Sequence, residues 1–352
     1  MLRLAENQGF ASGVNAGVAW ARGEVVALLN DDAIAAPTWL SSAEQVLEDP
    51  EVAAVAPKIL LARRYGEIAL EDEEHFAAGD NRPLGRKIAS ATLNGADVLS
   101  ALVGPGVHQL EHGPGGEQWR WTAGKRHFYV PLADELALDS TTGLGGLTLL
   151  LNGEPTRIGP VVDIVNSAGS YLRKDGYAGD CGADLPDDDR WNRKRECFAV
   201  TGTALVTTAA MLSGVGPLER GYFAYYEDID WCWRARLQGY RVMYDPASTV
   251  RHVRGHTSGG TLAARTRFLA ERNRILTLAR CAPLPLAFRE ARKKWSGGGD
   301  DGVAAVLPRA FPAALKQRLQ LRRSWKLKSP ELYARWAGVD VPRESWDPTT
   351  RS

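Results

Sequence analysis

The densest chemistry in the sequence lies in "YFAYYEDIDWCWRARLQGY" at residues 222–240, where Glu227, Asp228 and Asp230 crowd between two aromatic runs. Like charges that close repel one another, so something must compensate them. A helix that begins near Asp228 and ends before Gly239 puts the acids in its first turn, where the helix dipole favours negative charge by about 0.3–1 kcal/mol each. Such a helix buries Ile229, Trp233 and Leu237 as a stripe and lets Asp230 reach Arg234 at i, i+4. One acid is thereby explained. Glu227 and Asp228 exceed what capping needs, and burial beside Tyr225 and Tyr226 raises a carboxyl pKa toward working pH, as a general base requires.

A second acidic pair, Asp31-Asp32, closes "EVVALLNDDA". An apolar run of that kind reads as a buried strand, so the two carboxylates fall at the carboxyl edge of a sheet, where open α/β folds bind ligands. Two acids there suit a divalent cation that in turn holds a diphosphate, or else their side chains form turns that cap the following helix. His252 ends "STVRHV" at another strand edge, with His256 four residues on. An imidazole at that edge is either structural or a neutral metal ligand. "HQLEH" at residues 108–112 has the inverted zinc-peptidase spacing, but "GPGV" and "GPGG" frame it and forbid the sustained helix that motif needs. No P-loop and no G-x-G-x-x-G occurs.

The elements that must carry these residues follow from periodicity. Gly9, Gly13 and Gly17 recur at every fourth position, so a helix from about Ser12 to Arg22 presents a nearly bare face that a backbone can approach closely. "EVVALLN" follows as a strand, Pro37 starts a helix to about Glu48, and "VAAVAP" is the next strand. Between residues 62 and 160 the texture becomes alternating, and "LTLLLNGEPTRI" carries Asn152-Gly153, a strong type I′ hairpin signal. Trp119 and Trp121 in that stretch either stack on a ligand's rings or form sheet core. From residue 161 the α/β pattern resumes, with "CFAVTGTALV", "RVMYDP" and "STVRHV" as strands. The organisation predicted is thus an α/β core over 1–61 and 161–260, an inserted small β-rich domain over 62–160, and a basic helical region over 261–352.

At 352 residues, with 44% apolar and 24% charged residues, the chain has an ordinary globular composition. Its apolar runs are far too short to span a bilayer, and no secretion-signal pattern is expected. The four cysteines have no paired metal-ligand spacing, which points to a reducing, cytoplasmic setting. The net charge of +1 hides an asymmetry: from residue 251 onward there are 21 Lys/Arg against 8 Asp/Glu. Within that tail, "LKQRLQLRRSWKLKS" mixes leucines and Trp325 with cations and suits peripheral contact with an anionic membrane, or is a solvated face. Nucleic acid is not expected, because interleaved aromatics and any known module are missing.

Taken together, "NQGFASGVNAGVAWARGEVVALLNDDA", "VNSAGSYLRKDGYAGD" and "GPLERGYFAYYEDIDWCWRARLQGYRVMYDPASTVRHVRGHTSG" resemble the inverting glycosyltransferase family 2, in its rhamnosyltransferase-like bacterial branch. The resemblance implies a GT-A fold with a mostly parallel sheet, a nucleotide-sugar donor, UDP- or dTDP-linked, and Mn2+ or Mg2+. With it goes the expectation of a glycan or lipid-linked acceptor of the cell envelope, and the basic tail points to a place in the cytoplasm at the inner face of the cell membrane. The family's D-x-D position falls on Asn30-Asp31-Asp32, which makes Asp32 the metal contact and Asp31 a support for the donor. Its Glu-Asp pair falls on Glu227-Asp228, with Asp228 as base and Glu227 positioning the acceptor. Its histidine falls on His252 as second metal ligand, and Asn15, Thr201 and Gly202 fall on donor-binding positions. Relative to that pattern the chain lacks the N-terminal βαβ nucleotide-binding segment. The alternative expectation is therefore a catalytically incomplete fragment that binds carbohydrate or nucleotide.

Overall fold

The computed structural model describes residues 2–77, 80, 82–132, 147–253, 260–297 and 302–340. These fall into two compact units, one of Met1–Ile59, Ser167–Cys181 and Asp189–Val341, the other centred on Leu60–Asn166 with Gly182–Asp188.

The first unit carries the acidic motifs. In chain order its elements are α1 (Phe10–Trp20), β1 (Val25–Leu29), β2 (Ala33–Ala35), α2 (Trp39–Leu47), β3 (Val52–Leu61), β4 (Ser170–Leu172), β5 (Ala178–Asp180), β6 (Arg195–Glu196) and β7 (Ala204–Thr208). They continue as α3 (Ala209–Val215), α4 (Glu227–Leu237), β8 (Arg241–His252), α5 (Gly260–Cys281), α6 (Leu284–Ser296), α7 (Val303–Leu321) and α8 (Ser329–Trp336). The main sheet has the order β1-β7-β3-β8-β6, with β2 also on β8. Trp39, Ala43 and Val46 of α2 pack on Val55, Val206 and Val250 of that sheet, so the amphipathic stripe of α2 supplies one layer of the core.

The prediction of a mostly parallel sheet holds only in part. The pairings β1–β7, β7–β3, β8–β2 and β8–β6 are antiparallel. A strand joined by a helical crossover runs parallel to its predecessor, but β7 enters the sheet long after β3, and so long a connection leaves either direction open. The sequence "RVMYDPASTVRHV" forms one strand where two are predicted. Its Pro246 costs no ladder bond to β6 or β2, because it falls between the segment paired with β6 (Met243, Tyr244) and the segment paired with β2 (Val250–His252). In "CFAVTGTALV" only its end, Ala204–Val206, is strand, continuing to Thr208; the first half makes backbone bonds to Val242 and Ser170.

α1 begins earlier than its glycine pattern predicts, and the bare face is not used. A side chain at Gly13 or Gly17 would meet nothing within 4 Å. The close approach is at Gly9, whose φ is +85° and where an added Cβ would collide with the Phe223 carbonyl oxygen and ring.

The second unit is β-rich. Ile68, Ile88, Phe128, Val130, Leu149 and Leu151 share its core. Strands Leu149–Leu151 and Glu154–Thr156 form the hairpin signalled by Asn152-Gly153, whose φ values of +51° and +82° a type I′ turn requires. Glu111 and His112 lie in a short strand, and His108 is buried with Nε2 2.8 Å from the Pro83 carbonyl, so "HQLEH" is not helical. Trp119 is engaged on both its polar and its π side: Nε1 donates to Glu111 at 3.1 Å, and Lys87 sits 4.1 Å over the ring.

Candidate active site

The end of β1 is fixed by backbone bonding, with Asn30 N–H donating to the Thr203 carbonyl at 2.9 Å. The chain then turns at Asp31-Asp32 into β2, whose register on β8 pairs Ala33 with His252. Val253 N–H donates to the Asp32 carbonyl at 2.8 Å. This ladder brings together residues 220 positions apart: Asp32 Oδ1 lies 3.2 Å from His252 Nε2. Asp32 Oδ1 is buried and, among the described residues, has no hydrogen-bond donor placed to satisfy it.

That pair fits a divalent cation. Two donors bound at about 2.1 Å and near a right angle stand about 3 Å apart, and a hard carboxylate with a neutral imidazole is a donor set that Mn2+ accepts. Among the described residues no cluster of three or more His, Cys, Asp or Glu side chains forms, so the protein would supply this pair and leave the remaining positions to ligand oxygens. His256 lies outside the described residues.

The second acidic pair is positioned by backbone strain. Phe223, Tyr225 and Tyr226 have φ values of +66°, +71° and +71°, conformations that cost a non-glycine residue of order 1–3 kcal/mol each. Such strain persists only where neighbours over-determine it. Here Ala11 N–H at the start of α1 donates to the Phe223 carbonyl at 3.2 Å. The fully buried Asn273 of α5 directs its amide Nδ2 at the carbonyls of Tyr222, Ala224 and Tyr225 at 3.0, 2.9 and 2.7 Å. Arg272 adds bonds to Gly221 and Tyr222, and the Tyr226 hydroxyl accepts from Ala178 N–H at 3.1 Å.

α4 starts at Glu227, as the acid cluster predicts, but it is buried on all sides rather than along a stripe. Asp230 therefore has an enclosed structural role. Arg234 Nε lies 2.8 Å and Arg280 Nε 2.7 Å from its oxygens, and against the cost of burial these guanidiniums hold its carboxyl below the usual range. Asp228 is half-buried and faces outward. Its Oδ2 accepts from Gly202 N–H at 2.6 Å and its Oδ1 from Ile229 N–H at 2.7 Å. Burial raises the Asp228 pKa above the ordinary carboxylate range despite these two bonds, with Asp180 adding to the rise. Glu227 is pushed up as well, by burial and then by the charge of Asp228, and its Oε2 has no hydrogen-bond partner among the described residues.

One cleft of about 920 Å³ is lined by Asp31, Asp32 and His252, by Glu227 and Asp228, and by Thr201 and Gly202. Asn15 is elsewhere. Its amide oxygen accepts from Leu218 N–H and its Nδ2 donates to the Leu218 carbonyl, both at 2.9 Å, so the expected donor-binding residue is instead a clip between α1 and the loop before α4. Two functional residues escape sequence reasoning. Asp180 at the end of β5 lines the cleft and accepts from Ser167 at 2.8 Å, and nothing in its spacing marks it. Asn273 had one signal, an amide on an otherwise buried helix face, which demands partners.

Residues 1–84 match the family model of glycosyl transferase family 2. Among solved structures the chain is similar to the crystal structure of GalNAc-T7 with UDP, GalNAc and Mn2+, at 11% sequence identity and a TM-score of 0.44. The similarity covers 91% of this chain and 44% of that one, so the chain spans less than half of that protein. No curated protein matches the chain.

Proposed function

We propose that this chain is an inverting glycosyltransferase of the rhamnosyltransferase-like bacterial branch of family 2. It transfers a sugar, rhamnose among the candidates, from a UDP- or dTDP-linked donor to a hydroxyl of a cell-envelope glycan or lipid-linked acceptor. The observation that carries this proposal is the convergence on one cleft of an electron-rich Asp32–His252 pair and a carboxylate, Asp228, with a raised pKa.

The chemistry follows from what each side chain can do. Asp228 keeps a lone pair on each oxygen beyond the two backbone bonds it accepts, and it takes the proton of an acceptor hydroxyl. The freed oxygen forms its bond to the anomeric carbon on the face opposite the nucleotide, the bond to the diphosphate breaks with its electron pair, and configuration inverts. Glu227, protonated beside Asp228, donates a hydrogen bond that orients the acceptor. Asp32 and His252 would hold Mn2+ or Mg2+, which when bound supplies positive charge to the departing diphosphate. Thr201, Gly202 and Asp31 line the donor side. The reaction belongs to the cytoplasm at the inner face of the membrane, with the basic C-terminal region against anionic lipid. Among the described residues no helix is long and apolar enough to cross a membrane.

Incubating the purified chain with UDP- and dTDP-sugars, Mn2+ and a polyprenyl-linked acceptor, and measuring nucleoside diphosphate release, tests the proposal. Metal-dependent release that Asp228→Asn abolishes supports it. Donor binding with no release under any combination would make the chain a carbohydrate- or nucleotide-binding protein instead.

A further inference from the structure

We propose that the exposed face of α6 docks on an anionic phospholipid surface. Helical spacing puts Leu284, Phe288 and Trp295 on one stripe, and their side chains stand 39%, 52% and 63% exposed. Leu286, Ala287 and Ala291 on the adjoining face bury the helix, and apart from the contact of Phe288 with α7 this stripe is left in water. Beside it runs a basic edge of Arg289, Arg292 and Lys293, all exposed, of which Arg292 has no ion-pair partner among the described residues.

The surroundings match in charge. Phe288 packs edge-to-face on Phe311 of α7 at 5.4 Å, and α7 exposes Arg309, Lys316 and Leu319 while containing no acidic residue. Residues 284–330 hold eleven Lys/Arg against three Asp/Glu. A large indole and a phenyl ring bordered by cations suit the headgroup layer of an anionic bilayer, where rings enter the acyl boundary and cations meet phosphate. The stretch at 315–329, the sequence's strongest membrane candidate, is less available. Arg318 is buried with its guanidinium donating to the Ala279 and Ala282 carbonyls, and it also covers the Trp325 ring at 4.8 Å. α5 packs against both α6 and α7 and carries Asn273, so the docking face and the cleft loop share one scaffold.

The proposal deepens the membrane placement given under the proposed function, and it is read without donor or turnover, so either can fail alone. The full chain is sedimented with vesicles of phosphatidylcholine and of phosphatidylcholine mixed with phosphatidylglycerol. Binding to the mixed vesicles alone, reversed by high salt, is expected. Arg292→Gln and Lys293→Gln should each lower partitioning about fivefold, the weight of one cation near a charged surface. The pair Phe288→Ala and Trp295→Ala should lower it at least about tenfold. The two sets act on independent side chains, and a retained melting transition qualifies each. Equal binding to pure phosphatidylcholine, no binding to either vesicle, or partitioning unchanged in every qualified variant overturns the proposal. So does a dimer in light scattering that Trp295→Ala dissociates, which would give the face to a second copy of the chain.

Discussion

Replacing Asp228 by Asn separates two roles that one carboxylate fills. In the native protein both oxygens are acceptors, Oδ2 toward Gly202 N–H and Oδ1 toward Ile229 N–H. An amide keeps one of these bonds and turns its NH2 toward the other donor, leaving a buried N–H unpaired at about 1–3 kcal/mol. The variant should therefore melt lower by several degrees while remaining folded. Loss of the proton acceptor is the larger effect, worth about 10²–10⁴ in rate. Since Asp32 and His252 are untouched, donor affinity should change only a few-fold. Measuring kcat for sugar transfer, donor Kd by calorimetry and the melting curve on one preparation gives all three numbers. A variant that keeps more than about a tenth of kcat refutes Asp228 as base, because the deprotonation would then be proceeding without its carboxylate. A variant that loses donor binding in proportion to kcat refutes the separation of the two sides of the cleft.

Other expectations follow. Because burial raises the pKa of Glu227 in the folded chain, the native state holds a proton that the unfolded state has lost between the ordinary carboxylate value near 4 and the raised value. Stability should fall with rising pH across that window at up to about 1.4 kcal/mol per unit, and denaturant titrations of Glu227→Gln should show a shallower slope. Deprotonation of Asp228 sets the opposite trend in activity, so kcat/KM should rise with pH along a limb displaced above pH 4, and a limb at or below 4 would contradict the buried base. His252→Ala and Asp32→Ala should each weaken Mn2+ binding by at least about tenfold in calorimetry, and unaltered affinity would remove the cation from this pair. Asn273→Ala should destabilise the chain by about 2–5 kcal/mol, since the Ala224 and Tyr225 carbonyls lose their amide donor, and should lower kcat more than donor affinity.

Local patterns made much of this legible. The start of α4 at Glu227 followed from the acid cluster and dipole, the Asp230–Arg234 pair from i, i+4 spacing, and the Asn152-Gly153 hairpin from its need for two positive φ values. What could not be read depended on distant partners. Nothing near Asp230 in sequence announces Arg280, and without it α4 reads as amphipathic rather than enclosed. The bonds of Asn15 to Leu218 were hidden because Leu218 is far along the chain. The direction of β7 was hidden for the same reason, since an insertion before a strand erases the link between connection length and strand sense. The aromatic run 222–226 showed tyrosines, but not that three of its residues would adopt positive φ, a property conferred by Ala11 and Asn273 from outside.

On the proposed reading, the bond from Gly202 to Asp228 joins the floor of the donor side to the proton acceptor through main chain. The reach between leaving group and nucleophile is thereby set by main chain, and side-chain replacement cannot easily lengthen it. Tyr225, by contrast, stands at the rim with its hydroxyl 3.2 Å from that of Thr266 and more than a third of its surface in water. Selection for a new acceptor can act on that rim tyrosine while the reacting geometry stays as it is.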